Sequence, residues 1–270
     1  MKIKLYKCFE HWYHGGTIWV YSDPHFQNDT EMEQYFGWIP AEEQLQRINQ
    51  CVTKNDTLIC LGDVGNKLEL ASKIKAGYKV LITGNHDRGA STYTREQRNY
   101  GICESETEAK AIIRDGISEI LNIGGFKPNE YVKLDDSRWL LRIDNHLFDE
   151  VYTGPLFISD KILLSHEKIT MPCCINIHGH EHRGQFMEQV EMHTVAGPVQ
   201  AVSYNVACDV VDFKPMRLDQ IVQNYPLKNV PSIHRLTIDR AVAGSVPAVG
   251  KLDSYAHMIL QAEANKGKNI

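Results

Sequence analysis

The sequence predicts an α/β fold, and three observations carry that expectation. Short β-branched apolar runs alternate with amphipathic stretches in the order strand, helix, strand, helix, strand. Each apolar run stops at a turn rich in Asp, His, Asn and Gly, as happens where an α/β sheet presents chemistry at the carboxyl ends of its strands. With 270 residues, 43% of them hydrophobic, the chain is long enough to bury a substantial core.

Thr17 to Ser22 reads as the first buried strand, ending at Asp23-Pro24-His25. Pro40 opens a helix over Ala41 to Val52, with Leu45, Ile48 and Val52 on one face. The second strand, Thr57 to Leu61, runs into Gly62-Asp63-Val64-Gly65-Asn66. Lys67 to Lys75 reads as a helix capped near Gly77, and Tyr78 to Ile82 as a third strand broken off by Thr83-Gly84-Asn85-His86-Asp87. In that turn Gly84 is expected to allow a tight bend, Asn85 to offer a neutral carbonyl oxygen to a cation, and His86 to move a proton near neutral pH.

From Arg88 to Asn145 the pattern loosens, and only Ala109 to Leu121 has clear helical periodicity. We read this stretch as an insertion, either a solvated excursion or a lid. Because it leaves from the polar turn and returns shortly before His166, it is expected to cover the site. Leu156 to Ser165 reads as a hairpin about Ser159-Asp160-Lys161, followed by strands over Cys174 to Ile177, Val190 to Val195 and Val202 to Val211. No helix separates these, so the second sheet is expected to be mixed or antiparallel. The main domain would span 1–224. A C-terminal extension, 225–270, carries Leu252, Tyr255, Ile259 and Ala262 at helical spacing, a helix for its own domain or for a second copy of the chain.

Composition excludes some functions. The 29 Lys+Arg against 34 Asp+Glu give a net charge of −5, which provides no general pull toward nucleic acid or anionic membrane. Any phosphate must be attracted locally. Seven Cys without Cys-x-x-Cys spacing, among them Cys51, Cys60, Cys174 and Cys208 in apolar runs, read as small buried hydrophobes in a reducing compartment. The adjacent Cys173 and Cys174 point to opposite faces of a strand and are not expected to pair. The first 16 residues lack a signal-peptide core, and no run approaches the ~18 apolar residues of a membrane span. The expected location is cytoplasmic.

Five strand ends carry Asp23 and His25, Asp63, Asn85 and His86, His166, and His180 and His182. In extended chain, Asp-x-His and His-x-His place both side chains on one face, so each pair is expected to grip a cation together. The mixture of oxygen and nitrogen donors suits two first-row divalent ions, with Asp63 as the natural bridge. His178 shares a face with His180 and His182, and reads as a residue beside the ligands or a satisfied core histidine.

These blocks resemble the calcineurin-like metallophosphoesterases. Ser22-Asp23-Pro24-His25, Leu61-Gly62-Asp63-Val64-Gly65-Asn66, Gly84-Asn85-His86-Asp87, Leu164-Ser165-His166-Glu167 and Gly179-His180-Glu181-His182 occur in the family's order, with Tyr204 to Asp209 similar to its closing strand. The resemblance implies a four-layer α/β/β/α sandwich of two stacked mixed sheets. It further implies one metal on Asp23, His25, Asp63 and His182, and another on Asp63, Asn85, His166 and His180. His86 is left as the general acid, with Asp63 holding the ions that carry a bridging hydroxide. Manganese is favoured among Mn, Fe, Zn, Ni and Mg.

Asn66, Asp87 and His178 are expected beside the ligands, and Arg88 at the substrate phosphate or as a plain surface charge. Asn66 stands where the protein phosphatase branch of the family has an Asp that orients the catalytic His, so support for an imidazolium is weaker here. The implied function is a dinuclear phosphoesterase acting on a small phosphodiester or nucleotide-type substrate. Phosphoprotein phosphatase, nuclease and non-catalytic scaffold are the alternatives.

Overall fold

The computed structural model describes residues 2–13, 15–27, 37–115, 128–194 and 197–230. In chain order the strands begin with β1 (Ile18–Tyr21), β2 (Thr57–Cys60) and β3 (Tyr78–Ile82). Next come β4 (Glu96–Cys103), β5 (Glu130–Lys133), β6 (Trp139–Asn145) and β7 (Glu150–Tyr152). They continue with β8 (Leu156–Ser159), β9 (Ile162–Leu164), β10 (Ile175–His178), β11 (Met187–Thr194), β12 (Gly197–Asn205) and β13 (Met216–Arg217).

The first sheet has the order β13-β1-β2-β3-β7, parallel except for the antiparallel edge β13. The second, β11-β12-β10-β9-β8, is mixed: β12, β10 and β9 are parallel, and each edge is antiparallel. Alternate residues of the first sheet explain its continuous apolar runs. Ile18, Val20, Ile59, Leu61, Val80 and Ile82 face Ile162, Leu164, Ile175, Ile177 and Tyr204 of the second sheet in one core. On the other face Tyr21, Leu58, Cys60 and Leu81 pack against Ile48 and Val52 of the first helix and Leu70 and Ala71 of the second. Burial on both faces is what a parallel sheet requires.

Helices, first sheet and second sheet are thus three stacked layers. The remaining described α-helices pack elsewhere, at β1 and on a smaller sheet. Of the four expected layers, these three lie within the described residues, in a mixed α/β fold with several sheets and few helices.

Several boundaries differ from expectation. The first helix, Ala41–Cys51, starts after Pro40, which is its N-cap. The second is only Leu68–Ser72, capped at Lys73 rather than near Gly77, because the chain must already turn there to enter β3. The closing strand stops at Asn205, and Val206 to Asp212 turns back under the site.

The insertion holds more order than its scattered charges indicated. Strands β4, β6 and β5 form an antiparallel sheet, with a bulge between Asn99 and Gly101. The helix Glu106–Asp115 covers one face through Ala109, Ile112 and Ile113. Its expected continuation to Leu121 lies outside the described residues, as does the C-terminal helix about Leu252. Tyr93, Leu147 and Phe148 anchor the insertion in the helical side of the first sheet. All seven cysteines are free, with Cys173 and Cys174 both buried and Cys8 exposed. Among the described residues, no helix is long and apolar enough to cross a membrane.

Candidate metal centre

The strand ends converge. After β1 the chain runs beside the loop after β2, with Asp23 N donating to Gly62 O at 3.0 Å and His25 N to Asp63 O at 3.0 Å. Asp87 ties the third turn to the loop after β2: its Oδ2 accepts from Asp63 N and Gly84 N at 2.8 Å each, and its Oδ1 from Val64 N at 3.0 Å. Its role is therefore to lock two loops together. From the second sheet, His180 N donates to Asp23 Oδ2 at 2.9 Å.

The backbone here is not extended. Asp23, His25, Asp63 and His180 have φ of 56°, 41°, 52° and 65°. Non-glycine residues held in this left-handed region are strained by of order 1–3 kcal/mol each and cluster at functional sites. The expectation of extended Asp-x-His and His-x-His pairs is corrected accordingly. Asp23 and His25 do serve one group, but His180 and His182 diverge to two, because the left-handed turn at His180 breaks the alternation. Gly84 is also needed for a different reason than a tight bend. A Cβ there would stand 2.3 Å from Asp63 Oδ1, so the turn can approach the carboxylate only without a side chain.

Two donor groups result: Asp23, His25 and His182, and Asp63, His166 and His180, each with ligand atoms within 4.8 Å of one another. Asp63 joins them. Its Oδ2 lies 3.6 Å from His25 Nε2 and 3.5 Å from His166 Nε2. Asp23 Oδ1 stands 4.0 Å from His25 Nε2 and 3.8 Å from His182 Nε2. These separations are too long for hydrogen bonds. They match donors around a shared cation, since ligands at roughly 2.0–2.2 Å from a metal lie about 3.5 Å apart in tetrahedral geometry. Asn85 Oδ1 joins the second group at 2.8 Å from His166 Nε2, and His180 Nδ1 lies 3.2 Å from that same nitrogen.

Tautomers sharpen the case. His166 Nδ1 donates to the Leu61 carbonyl at 2.8 Å, so its Nε2 carries a lone pair toward Asp63. His182 Nδ1 donates to Asp209 Oδ1 at 3.0 Å, which likewise turns its Nε2 lone pair toward Asp23. Asp23 Oδ1 is buried without any hydrogen-bond partner among the described residues. A positive charge between them would satisfy these buried acceptors, and the residues present fit divalent metal ions.

The electrostatics set the two histidines of the first group apart. Burial holds the Asp23 carboxyl above its usual range, with His166 the largest opposing influence. Burial also pushes His25 down to about 4, leaving a neutral imidazole able to bind metal. Burial would lower His182 too, but the Asp209 hydrogen bond and the Asp23 charge raise it. Asp209 stays below the carboxylate range because bonds from His182 and the Arg183 backbone overcome its burial.

A model of the calcineurin-like phosphoesterase family matches residues 16–197. The chain belongs to this family. The family typically binds divalent metals, in keeping with the two donor groups. No curated protein matches the chain. A crystal structure of a protein of unknown function, AQ665 from Aquifex aeolicus, is similar at 17% identity over 77% of this chain and 98% of that one, with a TM-score of 0.41.

The other residues singled out from sequence lie around these groups. His86 is exposed, its backbone N donating to Asp63 Oδ1 at 2.9 Å and its ring 5.8 Å from that of His25. Asn66 meets Arg88 (Nη2 to Oδ1, 3.4 Å) and not His86. His178 is buried, bonded to the Gly179 carbonyl at 2.8 Å and lowered by burial, outside both groups. Sequence reading missed Asp209 as the partner of His182. Its signal was an acidic residue just past the closing strand, a usual place for a carboxylate that orients a metal-binding histidine. Trp38, packed on two of the histidines, was also missed.

Proposed function

We propose that the chain hydrolyses phosphodiester or nucleotide-type substrates with the aid of two divalent ions. Asp23, His25, Asp63 and His182 would hold one ion, and Asp63, Asn85, His166 and His180 the other. The observation that carries this reading is the Asp63 carboxylate, one oxygen of which lies within 3.6 Å of a histidine nitrogen from each group. Bound there, such ions supply an activated water and neutralise charge on a phosphoryl group. The mixed nitrogen and oxygen donors favour manganese or a neighbouring first-row ion.

The residues of the chain do the rest. His86 has a backbone N–H fixed on Asp63 and an exposed ring beside His25, which suits a group that gives a proton to the departing ester oxygen. Arg88, exposed next to His86, is within reach of a substrate phosphate while its guanidinium rests on Asn66. With Asn66 so engaged, no carboxylate from that position charges the His86 ring. We assign the insertion the role of selecting substrate, and the cytoplasm as the place of action.

A non-catalytic scaffold has less support, since both donor groups are complete. Four probes test the reading: a bis-aryl phosphodiester, an aryl monoester, a cyclic nucleotide and single-stranded nucleic acid, each with Mn(II). Turnover of the diester or the cyclic nucleotide is expected. No turnover of any probe by protein that has taken up Mn(II) would favour the scaffold.

A further inference from the structure

Two histidines of the first donor group are fixed in different ways. His182 is set by its hydrogen bond to Asp209. The His25 ring makes no hydrogen bond among the described residues, and its nearest carboxylate oxygens are 3.6 and 4.0 Å away. Its backbone is left-handed as well. What surrounds it is rings: His182 at 5.4 Å, Trp38 at 5.8 Å and His86 at 5.8 Å between centroids. Of these, His86 is exposed, whereas Trp38 is only 6% exposed.

Trp38 also lies 5.1 Å from His182, edge to face at 72°. Its far side packs on Phe213 at 5.6 Å, and its indole N–H reaches the Pro24 carbonyl at 3.5 Å, within the loop that carries Asp23 and His25. The indole is thus held from two directions and touches both histidines at once. Edge-to-face aromatic contacts of this kind contribute beyond simple burial and fix ring orientation.

We infer that Trp38 is a positioning residue of the first cation site, holding the His25 and His182 rings so that their Nε2 atoms converge on Asp23 before an ion arrives. This rests on the proposed two-ion reading. Among the described residues the second donor group has no aromatic neighbour of this kind: His166 and His180 contact each other at 5.0 Å. The effect should therefore fall on one ion and spare the other.

The test is Mn(II) uptake by the whole chain, measured by equilibrium dialysis. Wild type should bind two ions per chain. Trp38→Leu, which keeps apolar volume but removes the ring, should weaken one of the two by about 10–100-fold, the range typical of groups that support metal ligands. Trp38→Phe should restore most of that loss. Ile74→Ala, which thins the same core near the amino end of β3, at the far end of the sheet from the site, should bind both ions as wild type does.

Equal binding by wild type and folded Trp38→Leu overturns this inference alone, as would an Ile74→Ala loss of the same size, which would mean binding merely tracks core packing. No uptake by wild type overturns the two-ion reading and this inference with it. Should Trp38→Leu fail to fold, the wild type supplies the reading. The His25 ring in metal-free protein should show one NMR conformation that changes little on adding Zn(II), and an averaging ring would contradict the role.

Discussion

The two ends of the first sheet treat buried polar groups in opposite ways. At the amino ends, Asp56 accepts from Thr17 N at 2.7 Å, Thr53 N at 2.8 Å and Thr53 Oγ1 at 2.7 Å. Glu150, opening β7, accepts from His11, from Trp12 Nε1 at 3.1 Å, and from the Tyr78 and Tyr152 hydroxyls at 2.6 Å each. Both carboxylates sit below their ordinary range because these bonds overcome burial. At the carboxyl ends Asp23 Oδ1 has no hydrogen-bond partner among the described residues, His182 from the second sheet turns a lone pair toward it, and three non-glycine residues are left-handed. The satisfied end is built for stability, and the other is complete only with cations. Frustration confined to one end of a sheet locates function better than burial alone.

Substitutions can break this contrast, beginning with Asp63→Asn. Losing the shared carboxylate should reduce affinity for both ions by more than the roughly 10–100-fold typical of changes to groups that only support metal ligands, with hydrolysis of every ester falling alongside. Calorimetric titration with Mn(II) reads this. An unchanged titration would remove Asp63 from the centre of the account.

His86→Asn comes next. Ion uptake should persist, while hydrolysis of alkyl or nucleoside esters drops by roughly 10²–10⁴-fold and that of activated aryl esters drops less, since a good leaving group needs little protonation. Equal losses on both ester classes would mean that His86 does not donate the proton.

Stability should respond with opposite signs at the two ends. In metal-free protein Asp23→Asn removes a buried unpaired charge and should stabilise by about 0.5–2 kcal/mol while abolishing tight ion binding. Glu150→Gln should destabilise by about 1.5–3 kcal/mol and leave ion binding alone. Urea titrations of the two variants decide this, and changes of the same sign would erase the contrast.

Lys79 sharpens the comparison through pH. It is fully buried in β3, donates to the Ala71 carbonyl at 3.0 Å and to the His146 carbonyl, and is pushed by burial down to about 7. With its folded pKa below the unfolded value, the native state binds fewer protons between about pH 7 and 10.5, so this group's penalty fades as pH rises through that window. The stability of Lys79→Met relative to wild type should therefore be greatest at pH 7 and decline toward pH 10. A difference that stays constant with pH would show that Lys79 is not perturbed.

The smallest effect concerns the insertion. The ligand residues take their hydrogen bonds and ring contacts from residues 21–87 and 165–213, and none from 96–145 among the described residues. Replacing 96–145 by a short linker should leave ion binding intact and change only the preference among substrates. Identical kinetics across the four probes would make the segment a peripheral excursion.

How much of this was legible follows from the same physics. Strands β1 to β3 were readable because burial on both faces forces unbroken apolar runs, and the residues of the two donor groups because each run ends abruptly in Asp, His or Asn. The short edge strands β7 and β13 carry too few residues to show a period. The sheet of the insertion was obscured because β4 mixes charges with a bulge, while β5 is largely exposed. The left-handed turns at Asp23, His25, Asp63 and His180 left no trace, since non-glycine residues adopt them only when the surrounding fold enforces it. Trp38 and Asp209 act on histidines distant in sequence, and such pairings appear only once the chain is folded.

The central claim is that two donor groups joined by Asp63 hold two divalent ions. Metal analysis of wild type dialysed against excess Mn(II), together with its melting temperature, tests this most directly. Two ions per chain are predicted, with stabilisation approaching about 2.7 kcal/mol per site at a hundredfold excess over Kd. Protein that retains no ion and melts at the metal-free temperature would contradict it.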